Sequence, residues 1–189
     1  LDHDGRHRLF PRKAIAEVDR DDLKSHIPTL GELYATVGTD IPLSVDVKDP
    51  ATFEPMIEVS RDHDALDRLW VCHPDLELLQ QWRDLSPEVH LVNSTSLDAL
   101  PHGPERRAAE LAAARIDAIN LRQQYWTGGL TTLFHRFDVL CFGWDAQHER
   151  QIVRLIDMGI DAVYSDFVDR MVAVAATFAG DSRPAVGDD

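Results

Sequence analysis

The sequence predicts an α/β fold in which helices cover a parallel sheet. From residue 41 onward, short apolar runs alternate six times with amphipathic stretches, and only a few residues separate them. The runs are apolar at successive positions, as in strands with both faces buried. Such a series forms either a doubly wound sheet or an eightfold (β/α)8 barrel. A complete barrel takes about 250 residues, so this chain of 189 residues would hold about six of its eight strand–helix units.

Each strand is predicted from a short apolar run between polar or turn-forming residues. The six runs lie at 43–47, 69–72, 90–95, 117–121, 138–144 and 161–166. The second run is closed by His73 and Pro74, which favour a turn.

Each helix is predicted from apolar residues three or four positions apart. The six helices lie at 51–68, 75–83, 105–115, 127–134, 147–158 and 167–178. Asp75 and Asp166 are placed to cap the second and the last helix. The third is rich in alanine, the best helix former, and Gly159 follows the fifth as a helix-ending glycine. Residues 179–189 have no periodicity and predict a disordered tail.

The net charge of the chain argues against a nucleic-acid-binding function. The chain has 33 acidic and 19 basic side chains, a formal net charge of −14, and the acidic residues are scattered. A nucleic-acid-binding protein normally carries a basic stripe instead. An anionic substrate would therefore need a metal ion or local lysines to offset the field of the protein.

Cysteine usage and hydropathy indicate a cytoplasmic protein without a membrane span. Cys72 and Cys141 lie in separate apolar runs, and we interpret them as two buried, reduced thiols. No apolar stretch reaches the length needed to cross a bilayer.

The stretch "LSVDVKDP" contains the most informative strand end. Asp46 and Lys48 are two positions apart, so both side chains point to the same side of the strand. A buried carboxylate could bind a hard cation there, and the ammonium could meet phosphate oxygens. The alternatives are a structural ion pair and two residues that face solvent.

Other strand ends carry polar or aromatic residues, each with an ordinary structural explanation. His73 is interpreted as a turn or cap residue, and Trp144 as either a wall beside a substrate or a core residue. Asn93, Ser94 and Ser165 also lie at strand ends. No Walker loop, dinucleotide-binding glycine motif, nucleophile elbow or zinc-ligand spacing occurs.

Taken together, these residues resemble the glycerophosphodiester phosphodiesterase family, whose domain is a TIM-type barrel. In that family, a histidine–aspartate pair precedes an "IPTL" segment and then a strand ending in glutamate, one residue, lysine. Here "DHD" at 2–4 precedes "HIPTLGELY" at 26–34 and "LSVDVK" at 43–48. The family's later "WTVN" and "GVDGIITD" segments resemble "WDAQ" at 144–147 and "GIDAVYSD" at 159–166. The resemblance covers nearly all of residues 1–178, with a loop and inserted region at 2–40 and strand–helix repeats at 41–178.

The resemblance implies hydrolysis of a small-molecule glycerophosphodiester to glycerol 3-phosphate and an alcohol. It makes His3 one of two histidines that act as general acid and base, and Asp46 a ligand of a divalent cation, Mg²⁺ or Ca²⁺. Lys48 takes the place of the phosphate-binding lysine, and Trp144 that of the tryptophan near the substrate. The cation neutralises phosphoryl oxygens while one histidine activates the nucleophile and the other protonates the departing alkoxide.

Three departures from the family pattern matter. The family's histidine–arginine–glycine motif and its glutamate-x-aspartate metal pair have no counterpart, and we expect them just before Leu1. Asp46 is one methylene shorter than the family glutamate, and "WDAQ" keeps only the tryptophan of its motif. We therefore expect this polypeptide alone to be inactive. The alternatives are a non-catalytic barrel that binds a phosphate-bearing ligand or a protein partner, and another phosphodiesterase of the same barrel group.

Overall fold

The computed structural model describes residues 17–18, 20–24 and 26–180, and the chain divides into two compact units, residues 1–92 and 93–189. His3 and most of the predicted tail lie outside the described residues. Among the described residues, no helix is both long enough and apolar enough to cross a membrane.

The described residues form one six-stranded sheet whose strands are hydrogen-bonded in chain order. The pairings β1–β2, β4–β5 and β5–β6 are parallel. A doubly wound sheet reverses its strand order at a switch point, whereas a barrel adds each strand beside the last one. The prediction of a TIM-type barrel with about six units is therefore confirmed. The strands are β1 (Leu43–Asp46), β2 (Leu69–His73), β3 (His90–Ser94), β4 (Ala118–Arg122), β5 (Leu140–Trp144) and β6 (Ala162–Val163).

Seven α-helices occur in the described part of the chain, one more than the sequence analysis predicts. The additional helix, α1, begins after Thr29, whose hydroxyl accepts a hydrogen bond from the Glu32 N–H at 3.2 Å. The Glu32 carboxylate accepts in return from the Thr29 N–H at 2.7 Å, a capping box that fixes the start of the helix. The helices are α1 (Leu30–Val37), α2 (Phe53–Asp62), α3 (Leu76–Leu85), α4 (Gly103–Ala113), α5 (Gly128–His135), α6 (Glu149–Asp157) and α7 (Val168–Gly180).

Two elements, α2 and β6, are much shorter than predicted. Helix α2 ends at Asp62 rather than at 68, because Asp64 takes a left-handed conformation with φ of 53°. The apolar Leu66 beyond that point belongs to a separate 3-10 turn. Strand β6 has only two residues, Ala162 and Val163.

In unit 1, the core is built between helices α2 and α3 and strand β2. The rings of Phe53 and Trp82 stack at 4.4 Å between centroids, nearly parallel. Leu69 and Val71 of β2 and Leu79 of α3 are fully buried. This apolar layer includes β2, and parallel pairing joins β1 to β2.

In unit 2, the core is centred on Trp126. Its indole is fully buried and Nε1 donates to the Phe142 carbonyl at 2.9 Å, so the polar edge of the ring is satisfied. Gly143 lies beside it; a Cβ at this position would approach Leu155 Cδ1 to 3.0 Å. Glycine therefore allows α6 to pack closely on β5.

Candidate functional site

Asp46 and Lys48 form an ion pair at the carboxyl end of β1. Lys48 Nζ lies 2.7 Å from Asp46 Oδ2. The parallel register places Asp46 beside Cys72 of β2, and two residues earlier the Ser44 hydroxyl lies 3.4 Å from Cys72 Sγ. One face of the unit 1 sheet thus presents a hydroxyl, a thiol and then the ion pair at its end.

This pair is accessible, so of the arrangements that the sequence leaves open, the geometry agrees with an ion pair that faces solvent and not with a buried one. Side-chain exposure is 38% for Lys48 and 52% for Asp46 among the described residues. An ion pair so exposed stabilises a fold by only about 0–1 kcal/mol, because water screens it. The pair therefore contributes little to the stability of the fold, and both charged groups remain accessible to a ligand.

His73 has a structural role at the end of β2. Its Nδ1 accepts a hydrogen bond from the Asp75 N–H at 3.1 Å, and its ring contacts the edge of Trp82 at 5.3 Å. Burial lowers its pKa, a larger effect than the opposing influence of Asp75. Since Cys72 is paired with Asp46, the next side chain, His73, points to the other face of the sheet. The interpretation of His73 as a turn residue agrees with this geometry.

Trp144 in unit 2 stands at the carboxyl end of β5 beside a second ion pair. Its side chain is exposed at 39%, so it is not a core residue. The Arg122 guanidinium lies 5.7 Å from the centre of its ring, and β4 and β5 place Arg122 directly beside Trp144. Arg122 also binds Asp145 through Nη2 at 2.6 Å and Nε at 2.8 Å.

Asp145 is further held by the chain that follows it. The Arg122 guanidinium holds the pKa of the Asp145 carboxyl below its usual range, and the Gln147 amide adds to this effect. Gln147 Nε2 donates to Asp145 Oδ1 at 3.3 Å and to Asp166 Oδ2 at 2.8 Å. Arg170 of α7 donates to the Gln147 carbonyl. Gln147 therefore joins the ends of β5 and β6.

Asp166 takes part in this network. The Ser165 hydroxyl before it accepts a hydrogen bond just ahead of α7. The Phe167 N–H donates to Ser165 Oγ at 3.1 Å. The Asp166 N–H donates to Gln147 Oε1 at 3.1 Å. Asp166 thus bonds to Gln147 through both its backbone and its side chain.

The asparagines of β3 and β4 face opposite sides of the unit 2 sheet. Asn93 Oδ1 accepts from Arg107 of α4 at 3.1 Å, so this strand-end residue is directed to the helical layer. Asn120 Nδ2 donates to Ser94 Oγ at 3.2 Å, two residues before Arg122 on the same face. Asn120 Oδ1 is buried and has no hydrogen-bond partner among the described residues.

The structure brings some of the predicted residues together and leaves others separate. Asp46 and Lys48 are in contact in unit 1, Trp144 belongs to unit 2, and His3 lies outside the described residues. Arg122 is missed by the sequence analysis, although a charged residue directly after the apolar "DAINL" marks a strand end. Its partner Asp145 is 23 positions away, so only the strand register reveals the pair.

The divalent cation that the resemblance implies would have one expected ligand, Asp46, among the described residues. Asp46 offers a carboxylate of the kind that Mg²⁺ and Ca²⁺ prefer, but these ions take several oxygen ligands. No group of three ligating residues includes Asp46 in the described part of the chain. The described residues alone therefore do not make a complete site for a hard cation.

Comparison with known proteins adds evidence on the fold. Neither the family models nor the curated proteins match this sequence. Solved structures do match, and several of them are phosphodiesterases or are assigned as such.

A protein of Silicibacter pomeroyi assigned as a glycerophosphoryl diester phosphodiesterase matches with a TM-score of 0.69 and 18% identity, over 81% of this chain and 58% of its own. One of Galdieria sulphuraria assigned as a glycerophosphodiester phosphodiesterase gives 0.71 and 13%, over 86% and 72%. An Oleispira antarctica phosphodiesterase, solved with the product sn-glycerol-3-phosphate, gives 0.66 and 19%, over 79% and 61%.

These matches confirm the barrel fold expected from the resemblance. Every identity is below 20%, so the matches concern fold and not the identity of site residues. The chain spans 58% of the length of the first of these proteins.

Proposed function

We propose that the chain is part of a glycerophosphodiester phosphodiesterase that hydrolyses its substrate to glycerol 3-phosphate and an alcohol. The observation that carries the proposal is the exposed Asp46–Lys48 pair at the carboxyl end of β1. Functional residues of such barrels lie at this end of the strands. The fold shared with phosphodiesterases, one of them holding glycerol 3-phosphate, supports the same reaction.

Lys48 has the chemistry required to bind the phosphate. Its ammonium offers three N–H donors as a point charge, and one of them is occupied by Asp46 at 2.7 Å. The net charge of −14 repels an anionic substrate, so a local cation is needed to hold the phosphodiester. Lys48 would attract the non-bridging oxygens and stabilise charge that develops on them during the reaction.

Trp144 and His3 are assigned the other two roles. The exposed indole of Trp144 offers an apolar surface for the glycerol or alcohol portion. His3 is proposed to transfer a proton to or from the reacting oxygens.

A divalent cation is retained as a proposal, with Asp46 as one of its ligands. Such an ion would polarise the phosphoryl oxygens. Asp46 would hold the ion, and Lys48 beside it would offer its ammonium to the phosphate. The remaining ligands are proposed to precede Leu1, and we propose accordingly that the 189 residues alone do not turn over substrate.

Hydrolysis of glycerophosphocholine tests the proposal. The chain preceded by its natural upstream residues should release glycerol 3-phosphate, and EDTA should abolish the release. Lys48→Ala should lower kcat/KM by about 100-fold or more, the usual effect of removing one donor to a developing oxyanion. Lys24→Ala, which removes an exposed lysine elsewhere, is the matched control.

Two results would contradict the assignment. Full activity of His3→Ala would remove His3 from the mechanism, and chelator-sensitive turnover by the 189 residues alone would disprove the need for upstream residues. Tight binding of glycerol 3-phosphate without turnover would favour a non-catalytic phosphate-binding barrel.

A further inference from the structure

Three potential metal ligands meet at the amino-terminal end of β5, away from the strand ends described above. His135 is the last residue of α5, Cys141 is the second residue of β5, and Asp161 directly precedes β6. One ligand atom from each lies within 4.8 Å of the other two. No other group of this kind occurs among the described residues.

Backbone contacts hold this group in place. Asp161 Oδ2 accepts from the Cys141 N–H at 2.7 Å, and the Asp161 N–H donates to the Cys141 carbonyl at 2.8 Å. The same Oδ2 lies 2.7 Å from His135 Nε2. Strand β5, the residue before β6 and the end of α5 are thus tied together.

The thiol of Cys141 has only weak contacts. Its Sγ lies 3.8 Å from the Thr131 carbonyl and 3.9 Å from the Val139 carbonyl. The sulfur is fully buried, whereas the side chains of His135 and Asp161 are 39% and 30% exposed. The group is therefore closed on the sulfur side and open to water on the other.

We propose that His135, Cys141 and Asp161 bind a Zn²⁺ ion, with water as the fourth ligand. Sulfur, imidazole nitrogen and carboxylate oxygen are the three zinc ligands of proteins. A thiolate ligand disfavours Mg²⁺ and Ca²⁺, which take oxygen. On binding, the thiol proton passes to solvent, and a zinc–nitrogen bond replaces the contact between His135 and Asp161.

Between His135 and Asp161, the adjustment that zinc requires is small. Ligands about 2.0 Å from a tetrahedral zinc lie about 3.3 Å apart, whereas His135 Nε2 and Asp161 Oδ2 are 2.7 Å apart. The exposed imidazole has to move by roughly half an ångström. The ion would join three elements at the end of β5 opposite to Trp144.

Metal binding by the 189-residue chain tests the proposal. Isothermal titration with Zn²⁺ should give one site, and Co²⁺ in its place should produce a thiolate-to-cobalt charge-transfer band. Cys141→Ser and His135→Gln should each weaken zinc binding by about 10- to 100-fold or more. Because the exposed His135 side chain contributes little to the core, His135→Gln should remain folded by circular dichroism.

Matched variants identify the ligands. Cys72→Ser removes the other buried thiol, and a double change of His3 and His7 to alanine removes the histidines of the "DHDGRH" segment. Both controls should keep the affinity and the cobalt band. The proposal is overturned if His135→Gln and Cys141→Ser bind zinc as tightly as the unchanged chain, or if cobalt shows no thiolate band. The measurement is independent of phosphodiesterase activity, and Asp46→Asn should leave it unchanged.

Discussion

At the carboxyl end of β5, the Asp145 carboxylate is held between Arg122 and Gln147. Asp145 has φ of 64°, a left-handed conformation that aspartate tolerates better than most residues. This turn directs the carboxylate towards Arg122 of β4, whose guanidinium lies over the Trp144 ring. The pair thereby positions the aromatic side chain that is proposed to meet the substrate.

Replacing the guanidinium should change how Asp145 titrates. The folded-state pKa of Asp145 is lowered from its ordinary value of 3.8, chiefly by Arg122. The stability that this shift contributes is present above pH 3.8 and is lost as pH falls through the folded-state pKa. Arg122→Gln should raise the pKa of Asp145, as seen by carbon NMR of the carboxyl group.

The matching stability change should be small and dependent on pH. Arg122→Gln should reduce the free energy of unfolding by at most about 1 kcal/mol at pH 7, since both side chains are partly exposed. The deficit should fade as pH is lowered below 3.8. Arg106→Gln, which removes an exposed partner of Glu110, should leave the Asp145 titration unchanged. An unaltered Asp145 pKa in Arg122→Gln would show that the pair does not control the carboxylate.

Among the elements, α3 has the clearest start signal. Asp75 Oδ1 accepts from the N–H groups of Glu77 at 2.9 Å and Leu78 at 3.3 Å. These donors have no partner within the helix. The prediction of Asp75 as N-cap is therefore confirmed, and the helix begins where the sequence indicates.

Loss of this cap should destabilise the fold measurably. Asp75→Ala should lower the free energy of unfolding by about 1 kcal/mol, the typical effect of removing an N-cap side chain. Asp84→Ala in the last turn of the same helix is the control for charge. It should be neutral or slightly stabilising, because a carboxylate near a helix C-terminus is unfavourable. Urea denaturation distinguishes the two, and equal effects would contradict a capping role.

The same local rules explain which elements the sequence predicts and which it does not. Helix α1 is absent from the prediction, although Thr29 and Glu32 form a capping box at its start. It has only eight residues and lies in the region interpreted as an insertion. Helix α2 is overextended in the prediction because Leu66 continues the apolar spacing past Asp64. The left-handed turn at Asp64 closes the helix end with local backbone bonds, in which the Ala65 N–H donates to the Ser60 carbonyl at 2.9 Å, and apolar spacing does not encode such a turn.

For the whole molecule, the strand order is predictable and the side-chain clusters are not. Six alternating apolar runs limit the topology to two kinds of parallel sheet. The Asp46–Lys48 pair is evident from sequence because its members are two residues apart. The contacts of Arg122 with Asp145 and of His135 with Asp161 depend on strand register across more than 20 residues. Periodicity within one element carries no information about such contacts.

The net charge of −14 is a property of the whole chain with a measurable consequence for stability. Like charges brought together by folding repel each other, which lowers the stability of the compact state. Salt screens this repulsion, with a Debye length of about 30 Å at 0.01 M and about 10 Å at 0.1 M. The urea midpoint of the 189-residue chain should therefore rise as NaCl is increased over this range, with an unchanged m-value. KCl at equal ionic strength should give the same rise, since screening does not depend on the identity of the cation. A fall in the midpoint would mean that attractive pairs such as Arg122–Asp145 outweigh the repulsion among the excess carboxylates.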